Sequence, residues 1–372
     1  MKKIKVMSVF GTRPEAAKMC PLVRVMDEDP AFESIVCLTG QHREMLHQVT
    51  DFFGVKADYD LDIMKPGQTI TSITSDILTT LGSVLEEVMP DLVLVHGDTT
   101  TSFAAALAAF YHKIPVGHVE AGLRTHDKYS PYPEEMNRCL TGRIATYHYA
   151  PTVNNRENLN REGIRDNIYV TGNTVLDAFK YTVRDNYTFM NPQLAQLDFS
   201  KGRYVLLTAH RRENLGEGIE NICRAVLQVV ESHPDIHVIY PVHLNPAVRN
   251  TVFPILGDHP RISLTDPVEL TDMHNLMGRV VLCMTDSGGL QEEVPAFGVP
   301  VLVLRSETER PEAVDAGTVR VVGTDIAGIV READKLLGDR NAYDAMAHAV
   351  NPYGDGHASE RIAGHIKRCF GV

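Results

Sequence analysis

The chain has 372 residues, more than the roughly 250–300 at which a single hydrophobic core stops growing, so two domains are expected. With 44% apolar and 23% charged residues, the composition excludes collagen-like, disordered and disulfide-scaffold chains. Its 36 basic and 48 acidic residues leave a net charge of −12, which opposes non-specific binding to nucleic acid or anionic membranes, so any anionic ligand needs a local site.

The amino terminus, Met-Lys-Lys-Ile-Lys, is followed by an apolar run that Gly11-Thr12-Arg13-Pro14-Glu15 stops too early for a secretory leader, and it is expected to be a first β-strand. No stretch approaches the roughly 20 apolar residues that span a bilayer. The six cysteines are scattered with no C-x-x-C pair, which favours reduced thiols and a cytoplasmic protein. Strands are predicted at Ile4–Phe10, Ser34–Leu38, Leu92–His96, Val116–Val119 and Tyr147–Ala150, with amphipathic helices between them. The pattern weakens between Thr171 and Gly202. It resumes with Arg203–Thr208, Ile236–Tyr240, Arg279–Met284, Val299–Leu304 and Val319–Val322. The expected architecture is therefore α/β, two Rossmann-like parallel-sheet domains facing a cleft. An N-terminal domain spans 1–172, a C-terminal domain 173–355, and a terminal helix, 356–372, packs back toward the first. Ligands of such sheets bind beyond the carboxyl ends of the strands, which directs attention to the loops there.

The first such loop carries Arg13 and Lys18, two candidate anion ligands, with Gly11 permitting a tight turn and Pro14 suited to a helix's first turn. No G-x-G-x-x-G follows a strand and no Walker-type glycine loop occurs, which argues against a dinucleotide site and a P-loop. Leu92–His96 runs into Asp98, which stands at the expected N-cap of an alanine-rich helix. Val116–Val119 runs into Glu120, and Pro133 precedes Glu134 and Glu135 at a helix start. Each acid alone has a structural explanation. Together on one sheet edge, carboxylates repel one another and acquire pKa values useful for proton transfer.

In the second half, His210 and two arginines follow Arg203–Thr208, and His243 follows the next strand. Asp286-Ser287-Gly288-Gly289 then opens a helix, offering backbone N–H groups and a hydroxyl to a phosphate, with Glu293 one turn further on placed to accept from a ribose hydroxyl. Arg305 and Arg310 add cations to the same rim. No metal-ligand spacing and no cofactor motif stands out.

These motifs resemble the non-hydrolysing UDP-N-acetylglucosamine 2-epimerases over nearly the whole chain. The stretches that carry the resemblance include GTRPEAAKM at 11–19, TGQH at 39–42, HGDTTT at 96–101, HVEAGLRT at 118–125, PYPEEMNR at 131–138, AHRREN at 209–214, HLNP at 243–246, DSGGLQEE at 286–293, TERPE at 308–312 and NPYGDG at 351–356. The resemblance implies a glycosyltransferase-B type fold and a UDP-sugar substrate. It implies interconversion of UDP-N-acetylglucosamine and UDP-N-acetylmannosamine through 2-acetamidoglucal, with no cofactor and a homodimeric state. Asp98, Glu120, Glu134 and His210 match the family's catalytic positions. Arg13, Lys18, Ser287, Gly288, Gly289, Glu293 and Arg310 match nucleotide contacts, to which His243 adds. Where an aromatic side chain is expected against the uracil, this chain offers Met273. Gln41 and His42 match a regulatory UDP-sugar region in some members; the arginine that assists them is replaced here by Lys65-Pro66-Gly67-Gln68. Two alternatives remain within the same fold: a hydrolysing 2-epimerase, against which the intact HGDTTT argues, and a 2-epimerase of a diacetamido-uronic acid nucleotide, against which Glu15 argues.

Overall fold

The computed structural model describes residues 3–40, 43–65 and 67–372, with the backbone alone at 43–45. Gln41 and His42, the regulatory candidates, lie outside the described residues. The chain forms two compact units, Met1–Tyr181 with Tyr353–Val372, and Thr182–Pro352. The junctions thus fall after Tyr181 and Pro352 rather than after 172 and 355. The reason is local: the N–H groups of Ala358 and Ser359 donate to the Asp177 carboxylate at 3.1 and 2.7 Å, which ties residues beyond 172 to the start of the final helix.

The first unit is built on a seven-stranded parallel sheet of β1 (Ile4–Phe10), β2 (Phe32–Leu38), β3 (Tyr59–Asp60), β4 (Leu92–His96), β5 (Val116–Val119), β6 (Tyr147–Ala150) and β7 (Ile168–Val170), in the order β3-β2-β1-β4-β5-β6-β7. Every residue of β4 and β5 is buried, as expected of strands covered on both faces. Met7, Val9, Val93 and Val95 pack with Ile77, Leu81 and Leu85 of one helix and with Ala104, Ala105 and Ala108 of the next. The alanines lack bulk, so those two helices approach closely over the sheet.

The second unit has six parallel strands: β8 (Arg203–Thr208), β9 (Ile236–Pro241), β10 (Ile262–Thr265), β11 (Leu282–Thr285), β12 (Val301–Val303) and β13 (Val319–Val321), in the order β10-β9-β8-β11-β12-β13. Val205, Leu207, Val238 and Tyr240 pack against Ile222, Val226, Val229 and Leu336. Each buried aliphatic side chain contributes about 1.5–3 kcal/mol. The predicted strand Arg279–Met284 begins instead at Leu282, because Gly278 still caps the preceding helix and the Arg279 guanidinium folds back to the Asn275 carbonyl at 2.7 Å.

In each sheet the strand order reverses once, between β1 and β4 and between β8 and β11. Loops leaving neighbouring strands diverge there and open a crevice at the carboxyl ends. Those two crevices contain most of the residues singled out from the sequence.

Candidate functional site

A cavity of about 460 Å³ opens in the first unit, lined by Thr12, Lys18, His96, Asp98, Glu120 and Glu134 among others. Its floor is held by Glu15. One oxygen of this buried carboxylate accepts from the Gly11 and Thr12 N–H groups at 3.0 and 2.8 Å; the other accepts from the Thr99 and Ser102 hydroxyls at 2.6 and 3.0 Å. Glu15 therefore clamps the loop after β1 to the loop after β4, and its acidity no longer bears on which sugar is preferred. Gly11 is required by close approach rather than by turn geometry, since a Cβ there would lie 2.0 Å from the Thr39 hydroxyl oxygen.

Asp98 does not cap the helix that follows; Thr99 does, accepting from the Ser102 N–H at 3.1 Å. The Asp98 carboxylate instead meets the Arg138 guanidinium at 2.7 Å. Burial pushes the Asp98 carboxyl upward, Arg138 pulls the other way, and the charges of Glu120 and Glu134 add to the rise. Behind it, burial lowers the His118 imidazole to about 3, so the ring stays neutral and donates Nε2–H to the Gly97 carbonyl at 2.7 Å.

Glu120, at the end of the next strand, has the opposite fate. Burial would raise it, but Lys18 and His96 outweigh burial and hold it well below the usual carboxylate range. Lys18 forms an ion pair with Glu120 Oε2, and His96 Nε2 lies 3.4 Å from the same oxygen. Lys18, read from the sequence as an anion ligand, thus balances a carboxylate. Arg13 starts the helix Arg13–Glu28 outside the lining of this cavity. Of the two acids after Pro133, Glu134 lines the cavity while Glu135 is buried and accepts from the Thr125 and His126 N–H groups.

A second cavity, of about 280 Å³, opens in the other unit and is lined by His210, His243, Met273, Ser287, Gly289 and Glu293 among others. The His210 and His243 rings stack at 5.0 Å and 18°. Burial lowers the His210 pKa against the pull of Asp286, with His243 and Arg211 adding to the fall. Asp286, read as part of the anion turn, is wholly buried and accepts from the His210 and Arg211 N–H groups, both at 2.8 Å, and from Asn214 Nδ2 at 3.0 Å. It shapes the His210 loop instead. Ser287 opens the helix Gly288–Glu293 without a side-chain capping bond. Gly288 faces Arg310, whose guanidinium carbon would be 2.7 Å from a Cβ there. Arg310 pairs with Glu292 at 2.8 Å and Glu309 at 3.3 Å, and Arg305 with Glu213 and Glu309, both at 2.9 Å. The expected cationic rim is therefore already neutralised in part. Glu293 lies 3.4 Å from His274 Nε2.

Arg138, His96 and Asn173, all touching the carboxylates of the first cavity, were not singled out from the sequence. Arg138 sits one helical turn after Glu134, a spacing that could have exposed it. Among the described residues no group of three or more His, Cys, Asp or Glu is arranged to hold a metal ion, and no helix is long and apolar enough to cross a membrane.

Residues 24–367 match the model of the family described as UDP-N-acetylglucosamine 2-epimerase. The chain is 53% identical to a UDP-N-acetylglucosamine 2-epimerase of Bacillus subtilis (strain 168) over 372 residues, covering 100% of this chain and 97% of that one. To the Yersinia pestis UDP-N-acetylglucosamine 2-epimerase it is 55% identical over 372 residues, 98% of each chain. The crystal structure of the UDP-GlcNAc 2-epimerase from Neisseria meningitidis bound to UDP-GlcNAc superposes with a TM-score of 0.89 at 47% identity, covering 98% of this chain and 100% of that one. Sequence, cavity geometry and these likenesses agree: the chain belongs to the UDP-N-acetylglucosamine 2-epimerase family.

Proposed function

We propose that this chain interconverts UDP-N-acetylglucosamine and UDP-N-acetylmannosamine without releasing the free sugar. The cavity of the first unit works on C2 of the sugar, and the cavity of the second holds UDP. Asp98 removes the C2 proton; the C–H electron pair forms the C1–C2 double bond, and the C1–O bond breaks with its electrons passing to the β-phosphate oxygen of UDP. In the return step that oxygen attacks C1 of the 2-acetamidoglucal, and C2 takes a proton on its opposite face, delivered from the side of Glu134. Glu120 stays ionised and raises the proton affinity of Asp98 through its charge. His210, the Ser287 hydroxyl and the backbone of Gly288 and Gly289 retain the departed UDP, Glu293 holds the ribose, and Met273 lies against the uracil. Holding UDP in place makes its return effectively unimolecular, which favours re-addition over loss of the glycal.

The observation that carries this reading is the pair of carboxylates at neighbouring strand ends, Asp98 and Glu120, held by different partners so that one is pushed toward binding a proton and the other kept anionic. Such a divergence is what proton transfer at carbon requires. The test is incubation with UDP-N-acetylglucosamine in deuterated water, followed by proton and phosphorus NMR. The expected result is a mixture of two intact nucleotide sugars carrying deuterium at C2. Free UDP formed in step with free N-acetylmannosamine would replace this reading with hydrolytic epimerisation.

A further inference from the structure

Two segments far apart in the chain meet beside Glu120: Gly172-Asn173, shortly after β7, and Tyr353-Gly354 from the Asn351–Gly356 motif, to which the proposed reaction assigns nothing. Asn173 is only 3% exposed. Its N–H donates to the Tyr353 carbonyl at 2.7 Å, its Oδ1 accepts from the Val175 N–H at 3.1 Å, and its Nδ2 donates to Glu120 Oε2 at 3.1 Å. These contacts fix the amide orientation, because only Nδ2 carries protons for the carboxylate and only Oδ1 accepts from Val175.

The two segments touch backbone to backbone. Gly172 and Gly354 have φ of +90° and +113°. A Cβ on Gly172 would lie 3.1 Å from the Tyr353 carbonyl oxygen, and one on Gly354 would lie 3.1 Å from Gly172 Cα. Side chains at either position would displace the carbonyl that holds Asn173. Glu120 has its own backbone demand: a φ of +62° in a non-glycine residue, a strained conformation that persists only where surrounding contacts enforce it. Its carboxylate is met by Lys18, His96 and Asn173. Asn173 differs from the other two in carrying no charge at any pH, so it aims the carboxylate without cancelling the charge through which Glu120 acts on Asp98.

We infer that Asn173 is a positioning residue for Glu120, and that the Tyr353-Gly354 segment serves the reaction through it. The inference rests on the proposed epimerisation and deepens it: Lys18 and His96 balance the charge of Glu120, and Asn173 with its distant support sets its direction.

The test uses the full chain and the deuterium exchange assay. Asn173→Asp keeps the shape and the acceptor for Val175 but replaces the donor with a second carboxylate. We expect kcat to fall about 100-fold while KM and the calorimetric UDP affinity stay within about threefold, with the acid limb of kcat/KM displaced to higher pH because adjacent carboxylates bind protons more readily. Asn173→Ser still accepts from Val175 but is too short to reach Glu120, and is expected to lose about tenfold in kcat. Gly354→Ala, which keeps the Asn173 side chain but presses on Gly172 and the Asn173 backbone, should lower kcat in the same way. Wild-type kcat in both Asn173 variants would overturn the inference, as would losses that follow the melting temperature while the pH profile stays unmoved. A native enzyme that incorporates no deuterium would refute the epimerisation itself, which keeps the two failures distinct.

Discussion

The two cavities treat charge in opposite ways. In the first, charge is graded: neighbouring carboxylates are driven apart in proton affinity, Asp98 upward by burial and the charges around it, Glu120 downward by Lys18 and His96. In the second, charge is partly cancelled: Arg305 and Arg310 are paired with Glu213, Glu292 and Glu309. The cavity lining also offers a ligand a hydroxyl, imidazoles and backbone N–H groups. A graded cluster suits proton transfer, whereas a partly neutralised cradle suits holding an anion that must leave and return. The difference between the units is therefore one of task rather than of fold, since both place their residues where the strand order reverses.

Two substitutions sharpen that contrast. Arg138→Gln removes the cation that opposes the rise of Asp98. Because Asp98 must be unprotonated to accept the C2 proton, raising its proton affinity moves the acid limb of kcat/KM to higher pH. At neutral pH the loss is expected to be about 100-fold, shrinking as pH rises. An unmoved limb in the pH–rate profile would separate Asp98 from the proton transfer. A smaller effect is expected from Ser287→Ala, where one hydroxyl is lost from the partly neutralised cradle. Calorimetry should find UDP bound about five- to tenfold more weakly, the scale of one hydrogen bond, with the pH profile unchanged. A shifted pH profile in this variant would dissolve the separation of tasks.

Much of this division was legible in the sequence, and the parts that were not share a physical cause. The central strands were found because full burial makes them continuous apolar runs, as in Leu92–His96 and Arg203–Thr208. The missed strands β3, β7 and β10 lie at sheet edges, where they are short and half-exposed and carry little apolar signal. Residue types at strand ends identified Asp98, Glu120 and His210 as candidates, and the family resemblance singled out Glu134 over Glu135, but neither gave their partners. Arg138, 40 positions from Asp98 in the chain, and Asn173, 53 from Glu120, become neighbours only through the order of the strands. The same ignorance of topology hid the pairing of Lys18 with Glu120 and made Asp98 look like a cap. Asp286 was misread for a different reason: a carboxylate beside Ser-Gly-Gly looks like part of an anion site, whereas burial against three donors gives it a structural task.

The central claim, that proton transfer belongs to one cavity and UDP retention to the other, is tested most directly by Asp98→Asn, read in two ways on one preparation. Deuterium incorporation at C2 should fall by about 10³-fold or more, the scale of a lost general base. Calorimetric affinity for UDP should stay within about twofold, and the melting temperature should hold because Thr99 rather than Asp98 caps the helix. Near-normal exchange, or UDP affinity lost together with exchange, would contradict the account.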